Sequence, residues 1–262
     1  MRIARFASPA GGVSFGVVEG EAGAGYDALT VAAIADHPFG PVTFTGERWA
    51  LPDVRLLAPV LPTKVVGVGR NYAEHAAELG NEVPPAPLIF LKPSTAVIGP
   101  RDAVRLPADS QQVEFEGELA LVVGGLGARN VPREKALDIV LGYTCGNDVT
   151  ARDQQKADGQ WTRAKGHDSF CPLGPWIETV LDPADLSLRT ELDGEVRQQS
   201  RTSSMLHDVP TLVSYITHVM TLLPGDVILT GTPAGVGRMV DGQTVSVTVE
   251  GVGTLTNPVR AR

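Results

Sequence analysis

Five stretches of this chain concentrate residue types that can move a proton, hold a cation or cradle an anion. The first is Val113-Glu114-Phe115-Glu116-Gly117-Glu118, followed by the apolar run 119–123. On an extended chain residues two apart share a face, so Glu114, Glu116 and Glu118 project together. Three carboxylates side by side repel, and they need either solvent or a cation between them. At this point a solvated strand edge stays open as a reading, and nothing sets Glu114 apart from the other two.

The second stretch runs Cys145-Gly146-Asn147-Asp148-Val149-Thr150-Ala151-Arg152-Asp153-Gln154-Gln155. Asp148 stands where a strand gives way to a loop, a frequent position for catalytic groups. Two glutamates and this aspartate would form an all-oxygen set, which suits Mg²⁺ or Mn²⁺ with waters completing the shell. Zinc would ask for His or Cys ligands, and none lies at suitable spacing. Asp153 reads as a local capping or salt-bridge partner, with Arg152 as the adjacent cation.

In the third stretch, Gly69-Arg70-Asn71-Tyr72-Ala73-Glu74-His75-Ala76-Ala77-Glu78-Leu79, one or two helical turns would make His75 and Glu78 neighbours at i, i+3. A carboxylate on one imidazole nitrogen orients the ring and makes the other nitrogen a better base. Gly80 and Pro84-Pro85-Ala86-Pro87 beyond it suggest a mobile lid; an ordinary surface pair would have the same spacing. The fourth stretch, 161–175, is rich in glycine and proline and reads as a loop. Its Lys165, between Ala164 and Gly166, could donate to a developing oxyanion beside bound metal. The fifth, Leu229-Thr230-Gly231-Thr232-Pro233-Ala234-Gly235-Val236-Gly237, lacks the G-x-x-x-x-G-K-[ST] pattern of a phosphate loop. Gly67-Val68-Gly69 is likewise no dinucleotide fingerprint, because position 72 is Tyr. Loop amides and the Thr232 hydroxyl could still hold a carboxylate.

Composition limits what can position these groups. Glycine (29) and proline (20) together make about a fifth of the 262 residues, while aromatics are only 5%. Such a chain turns often, which favours many short strands over long helices. A net charge of −8 argues against nucleic acid and anionic membrane surfaces as partners. The chain shows no signal peptide and no apolar run of roughly 18 residues, so a cytoplasmic protein is expected. Cys145 and Cys171 are too few for a disulfide scaffold, and both read as buried apolar residues with reduced thiols.

Along the chain, segments 3–6 and 13–18 predict a hairpin joined at Gly11-Gly12, and 27–37 a short helix with Asp27 as cap and Pro38 as stop. Pro52, Pro59 and Pro62 punctuate a connector, which divides a small front domain (1–60) from the remainder (61–262). Strands are expected at 119–123, 143–149, 227–229 and 245–249. Helical spacing is read at 132–141, and a helix carrying Leu212, Tyr215, Ile216, Val219 and Met220 on one face follows Asp208 and Pro210.

Taken jointly and in order, seven stretches resemble the fumarylacetoacetate hydrolase family: GVGRNYAEHAAE (67–78), FLKPS (90–94), FEGELALVVG (115–124), GYTCGNDVTARD (142–153), WTRAK (161–165), TSSM (202–205) and PGDVILTGTPAGVG (224–237). The resemblance implies a β-rich α+β fold, with a mixed β-roll or β-sandwich catalytic domain behind a small amino-terminal α+β domain. It implies a homodimer with one Mg²⁺ or Mn²⁺ per subunit. The family's metal carboxylates fall on Glu116, Glu118 and Asp148, which demotes Glu114 to a neighbour. Its catalytic His–Glu dyad matches His75 and Glu78, its active-site lysine Lys165, and its substrate-facing positions Arg152, Gln155 and Thr232. The expected substrate is a small 2-oxo acid or 1,3-dicarbonyl compound. It would be cleaved by an acylpyruvate- or fumarylpyruvate-type hydrolase or an oxaloacetate-type decarboxylase, through an enolate that the metal stabilises. The alternatives are isomerisation of a 2-hydroxyhepta-2,4-diene-1,7-dioate-type diacid, a non-catalytic metal-binding β-protein and a nucleotide-binding enzyme.

Overall fold

The computed structural model describes residues 1–21, 25–78, 80 and 82–261. Short β-prone runs separated by glycine and proline turns pair into one large mixed sheet. Its main path runs Phe44–Ala50, Thr30–Ile34, Val13–Glu19, Arg2–Ala7, Cys171–Glu178, Val140–Asn147, Gly117–Val123, Val227–Leu229, Val65–Gly69 and Leu88–Lys92. A second sheet of five strands is ordered Glu195–Arg201, Ser187–Leu192, Thr244–Val249, Gly253–Ala261 and Val104–Leu106. Thr150–Ala151, Val113–Phe115 and Gly237–Arg238 make a third, small one. Most neighbours are antiparallel, but Val227–Leu229 runs parallel to Val65–Gly69 and Gly253–Ala261 parallel to Val104–Leu106. The helices are short: α1 (Ala73–Glu78), α2 (Arg152–Asp158), α3 (Thr162–Gly166) and α4 (Val209–Val219). The fold is the β-rich α+β type.

The strand Gly117–Val123 is buried along its whole length. Leu119, Leu121 and Val123 enter a core with Leu188, Val247 and Val249 of the second sheet and Leu212, Val213 and Ile216 of α4. Ala120 and Val122 enter another with Leu173, Ile177, Val227 and Leu229. Both faces are covered, so the run carries no polar alternation. At its start Glu116 and Glu118 are therefore carried into the interior.

The front hairpin forms as expected, pairing Arg2–Ala7 with Val13–Glu19 up to Ala7↔Val13. Gly11 and Gly12 both take φ 89, a conformation that glycine adopts without a Cβ clash. Arg2–Ala7 also pairs with Cys171–Glu178, so the front strands continue the large sheet. At 27–37 the expectation of a helix fails: a 3₁₀ turn at Tyr26–Ala28 leads into the strand Thr30–Ile34. The β-branched Thr30, Val31 and Ile34 find strand partners on both sides, and pairing overrides the local signal. At 132–141 the helical spacing yields only a 3₁₀ segment, Arg133–Ile139, because Val140 already begins a strand of the large sheet. Asp208 caps α4 by accepting from Thr211 N at 3.0 Å. Leu212 and Ile216 of α4 are buried, but Tyr215 and Val219 face outward. No helix of the described residues is long and apolar enough to cross a membrane.

Candidate active site

Two adjacent strands assemble an acidic floor. Glu116 occupies the break between Val113–Phe115 and Gly117–Val123, and Asp148 directly follows Val140–Asn147. Pairing of Gly117 with Asn147 sets the two side by side. Asp148 N donates to Glu116 O at 2.8 Å, and Glu116 N to Asn147 Oδ1 at 3.0 Å. One carboxylate oxygen each from Glu116, Glu118 and Asp148 lie within 4.8 Å of one another, all three residues being buried. Glu114 stands apart, accepting from Arg152 Nε at 2.8 Å and Gln112 Nε2 at 2.6 Å. The predicted line of three glutamates is thus divided: Glu114 pairs with Arg152 Nε and Gln112, outside the Glu116–Glu118–Asp148 cluster.

Three cationic side chains enter this floor. Lys165 Nζ donates to Glu116 Oε2 at 2.8 Å and to Asp148 Oδ2 at 2.6 Å. Lys92 Nζ reaches Asp148 Oδ1 at 2.5 Å and Val149 O at 3.1 Å. Arg152 Nη2 lies 2.5 Å from Glu116 Oε1. Four buried carboxylates thus face three cations, and Glu118 is left with the backbone N–H of Gly231, at 2.6 Å. Burial works against the charge of Glu116, but Lys165, Arg152 and His75 outweigh it and hold its carboxyl well below the usual range. Burial and the charges of Asp148 and Glu116 push Glu118 well above that range. Burial opposes the Lys165 charge as well, yet Asp148 and Glu116 keep its ammonium protonated beyond the ordinary lysine value. A cluster of three oxygen-donor carboxylates, one of them (Glu118) without a cationic partner and the other two bridged by an ammonium, fits a hard divalent cation.

Above the floor opens a cavity of about 220 Å³ whose wall includes His75, Glu116, Glu118, Arg152, Gln155, Lys165 and Thr232. His75 Nδ1 meets Glu78 Oε2 at 3.1 Å, and the second Glu78 oxygen accepts from Gly235 N at 3.0 Å. Because Glu78 engages Nδ1, Nε2 is the ring nitrogen available as a base. The expected lid therefore includes a helix, α1, that is tied to the 231–237 loop; Leu79, in the same stretch, lies outside the described residues. Gln155 Oε1 accepts from Arg152 Nη1 at 2.6 Å. Thr232 Oγ1 donates to Gly117 O at 2.9 Å and accepts from Gln198 Nε2 at 2.8 Å. Every expected site residue lies at this cavity except Asp148, beneath it, and Glu78, behind His75.

Two local readings are corrected. The 161–175 stretch is not a plain loop: α3 carries Lys165, whose N–H donates to Trp161 O at 2.9 Å, and the strand Cys171–Glu178 follows. Asp153 does not pair with Arg152. It accepts from Ser110 Oγ and Gln111 N, each at 2.7 Å, leaving Arg152 to the glutamates. Burial pushes both the Cys145 and Cys171 thiols up to about 12, which removes them as nucleophiles.

Sequence reasoning missed Lys92, the fully buried partner of Asp148, although it lies within FLKPS. A lysine closing an apolar strand was the available signal. Gln198, which also accepts from Gly117 N at 3.0 Å, sits in a strand whose exposed neighbours conceal it.

Fold and site define a β-rich α+β protein with a buried acidic centre beneath a small pocket. The chain belongs to the fumarylacetoacetate hydrolase family, whose members are enzymes: the family model "Fumarylacetoacetate (FAA) hydrolase C-terminal" matches residues 64–260. The model "Rv2993c-like, N-terminal" matches residues 1–59. The chain is 61% identical to Protein Rv2993c of Mycobacterium tuberculosis (strain ATCC 25618 / H37Rv), over 99% of this chain and 98% of that one. It resembles the crystal structure of 2-hydroxyhepta-2,4-diene-1,7-dioate isomerase from Mycobacterium marinum, with TM-score 0.93 and 59% identity over 100% of this chain and 99% of that one. It also resembles fumarylpyruvate hydrolase from Pseudomonas aeruginosa in complex with Mn²⁺ and pyruvate, with TM-score 0.72 and 33% identity over 76% of this chain and 90% of that one.

Proposed function

We propose that the chain is a Mg²⁺- or Mn²⁺-dependent enzyme that cleaves a C–C bond in a small 2-oxo acid or 1,3-dicarbonyl compound. The carrying observation is the convergence on one cavity of Lys165, the Glu116–Glu118–Asp148 carboxylates and the His75–Glu78 pair. Glu116, Glu118 and Asp148 would hold the cation, which when bound supplies Lewis acidity to the 2-oxo and carboxylate oxygens of the substrate. The Mn²⁺ and pyruvate named for the Pseudomonas hydrolase support that reading.

The remaining steps belong to the chain's own side chains. Lys165 places an ammonium at the oxygen where negative charge develops as the bond to C3 breaks. His75, oriented by Glu78, removes a proton from water, whose oxygen adds to the far carbonyl. The C–C bond then gives its electron pair to C3, and a proton restores that carbon. Arg152, Gln155 and Thr232 present polar groups of the cavity wall to the substrate. Without the water step the same residues serve decarboxylation of an oxaloacetate-type acid.

A second reading, isomerisation of an unsaturated 2-oxo diacid, is favoured by the similarity to the M. marinum isomerase. The division at residue 60 is proposed on separate grounds, since none of the described residues of 1–60 lines the cavity. Assay of the Mg²⁺-loaded protein on acetylpyruvate, fumarylpyruvate, oxaloacetate and 2-hydroxyhepta-2,4-diene-1,7-dioate tests the proposal. Cleavage of one of the first three, abolished by EDTA and restored by Mg²⁺, is the expected result. Turnover of the dienedioate alone would establish the isomerase. A metal-dependent rise in melting temperature with no turnover would make the acidic centre structural.

A further inference from the structure

The strand Glu195–Arg201 forms one edge of the second sheet, and Gln198 is its one buried residue, whereas Val196 stands 43% exposed. Turning an amide inward and a valine outward gains no apolar core, and the buried amide is costly unless its polar atoms all find partners. Those of Gln198 do. Its Oε1 accepts from Gly117 N at 3.0 Å, and its Nε2 donates to Thr232 Oγ1 at 2.8 Å and to Pro233 O at 2.7 Å. Gly117 N can only donate and Pro233 O can only accept, so the amide has a single orientation. Thr232 Oγ1 therefore accepts from Gln198 and gives its own proton to Gly117 O, at 2.9 Å.

Gly117 is the link between Glu116 and Glu118. In the first peptide of that link, Glu116 O accepts from Asp148 N at 2.8 Å and Gly117 N donates to Gln198. In the second, Gly117 O accepts from the hydroxyl that Gln198 orients. Because a peptide unit is planar, these bonds fix the backbone that spaces the two carboxylates. The missing side chain at 117 is what admits the amide: a Cβ there would collide with the Thr190 hydroxyl and lie 3.3 Å from Gln198 Oε1. On the other side of the joint, Thr232 and Pro233 follow Gly231, whose N–H is the partner of Glu118 at 2.6 Å. One side chain thus ties the backbone between two carboxylates to the loop that holds one of them.

We propose that Gln198, which is not part of the cavity wall, is a positioning residue for the metal centre: it sets the spacing of the Glu116 and Glu118 carboxylates and seats the Gly231 N–H against Glu118. This rests on the reading of Glu116, Glu118 and Asp148 as ligands of a divalent cation. Ligands held in place before the cation arrives need no reordering when it binds, and the groups that hold them are worth about 10–100-fold in metal affinity.

The test is titration calorimetry of the EDTA-treated, desalted protein with Mg²⁺ and with Mn²⁺, beside the melting temperature of each variant. Gln198→Met matches the side chain in length and removes all three bonds. Gln198→Asn keeps an amide one methylene too short to meet Gly117 and the 232–233 segment together, and it carries the test should the methionine variant not fold. Binding of either ion should weaken about tenfold in Gln198→Met and about threefold in Gln198→Asn. Asn257→Leu is the control: its amide is also buried, but it donates to Gly99 O and Asp102 O, each at 2.9 Å, away from the cavity wall. That variant should melt at a lower temperature and bind both ions as the wild type does. Wild-type affinity in both Gln198 variants, or an equal loss in Asn257→Leu, would make Gln198 a structural amide only and overturn the proposal while the metal reading stands. Failure of the wild type to bind either ion would overturn the metal reading, and this proposal with it.

Discussion

Lys92 and Asp148 form a contact 2.5 Å long between two side chains that are almost wholly removed from solvent. The lysine closes the strand Leu88–Lys92, at the far end of the main path of the large sheet, and reaches back to an aspartate beyond the Val140–Asn147 strand. Together with Lys165 on the other oxygen, it fixes the rotation of the Asp148 carboxylate and therefore the lone pairs that Asp148 can offer to a cation.

Removing one partner from a buried pair leaves an uncompensated charge, at a cost of about 3–5 kcal/mol. Lys92→Met should therefore lower stability by that order in chemical denaturation. Because the deficit is one of positive charge, Mg²⁺ should stabilise this variant more than it stabilises the wild type. An equal metal-induced shift in both proteins would show that Lys92 and the cation act on separate sites.

Glu118 presents the opposite case, since its partner is a backbone N–H and no cationic side chain. Without metal, Glu118→Gln relieves repulsion with Glu116 and Asp148 and should raise the melting temperature of the EDTA-treated protein. The same change should abolish the rise that Mg²⁺ is expected to produce in the wild type. Loss of stability in EDTA would mean that Gly231 requires the charged acceptor more than the floor suffers from it.

Asp226 offers a pH test away from the cavity. Its buried carboxylate accepts from Thr63 Oγ1 at 2.6 Å, Thr63 N and Lys64 N at 3.1 Å each and Leu223 N at 2.8 Å, and it pairs with Lys64 Nζ. Burial opposes the charge, but Lys64, Thr63 and Leu223 outweigh it and lower the carboxyl below its ordinary value. A depressed carboxylate contributes stability that is full above the unfolded value, near 4, and fades as pH falls through the folded one. Asp226→Asn should cost about 1–3 kcal/mol at pH 7. In denaturation at successive pH values, the difference from wild type should shrink below about pH 4. A difference independent of pH would assign the loss to packing.

Much of this organisation was legible in the residues, and what was not has identifiable causes. The run 119–123 reads as a buried strand because its lack of alternation is itself the sign of two covered faces. Glu116, Glu118 and Asp148 are separable from other acidic residues because they adjoin that strand and its neighbour, yet spacing alone could not set Glu114 aside. The family resemblance did that, and the physical reason is Arg152, which lies 38 residues away in sequence. Lys92 escaped for the same reason: its partner is 56 residues distant and nothing local marks the pairing. The helix expected at 27–37 failed because pairing with two flanking strands decides the conformation there.

On the proposed mechanism, the His75–Glu78 pair is where hydrolysis and decarboxylation part. Hydrolysis needs a base to take a proton from water, and a positioned general base is worth about 10²–10⁴-fold in rate. Decarboxylation of oxaloacetate needs no activated water; it depends on charge stabilisation at the 2-oxo oxygen, the task assigned to Lys165. His75→Ala should therefore lower kcat on an acylpyruvate by about 10²-fold or more and on oxaloacetate far less. Glu78→Gln keeps a hydrogen-bonding group at Nδ1 but removes its charge, and should give a smaller loss in the same direction. Lys165→Met should depress both reactions together. Equal losses on the two substrates in His75→Ala would assign the imidazole to binding or proton return, and would leave water activation to another group at the pocket.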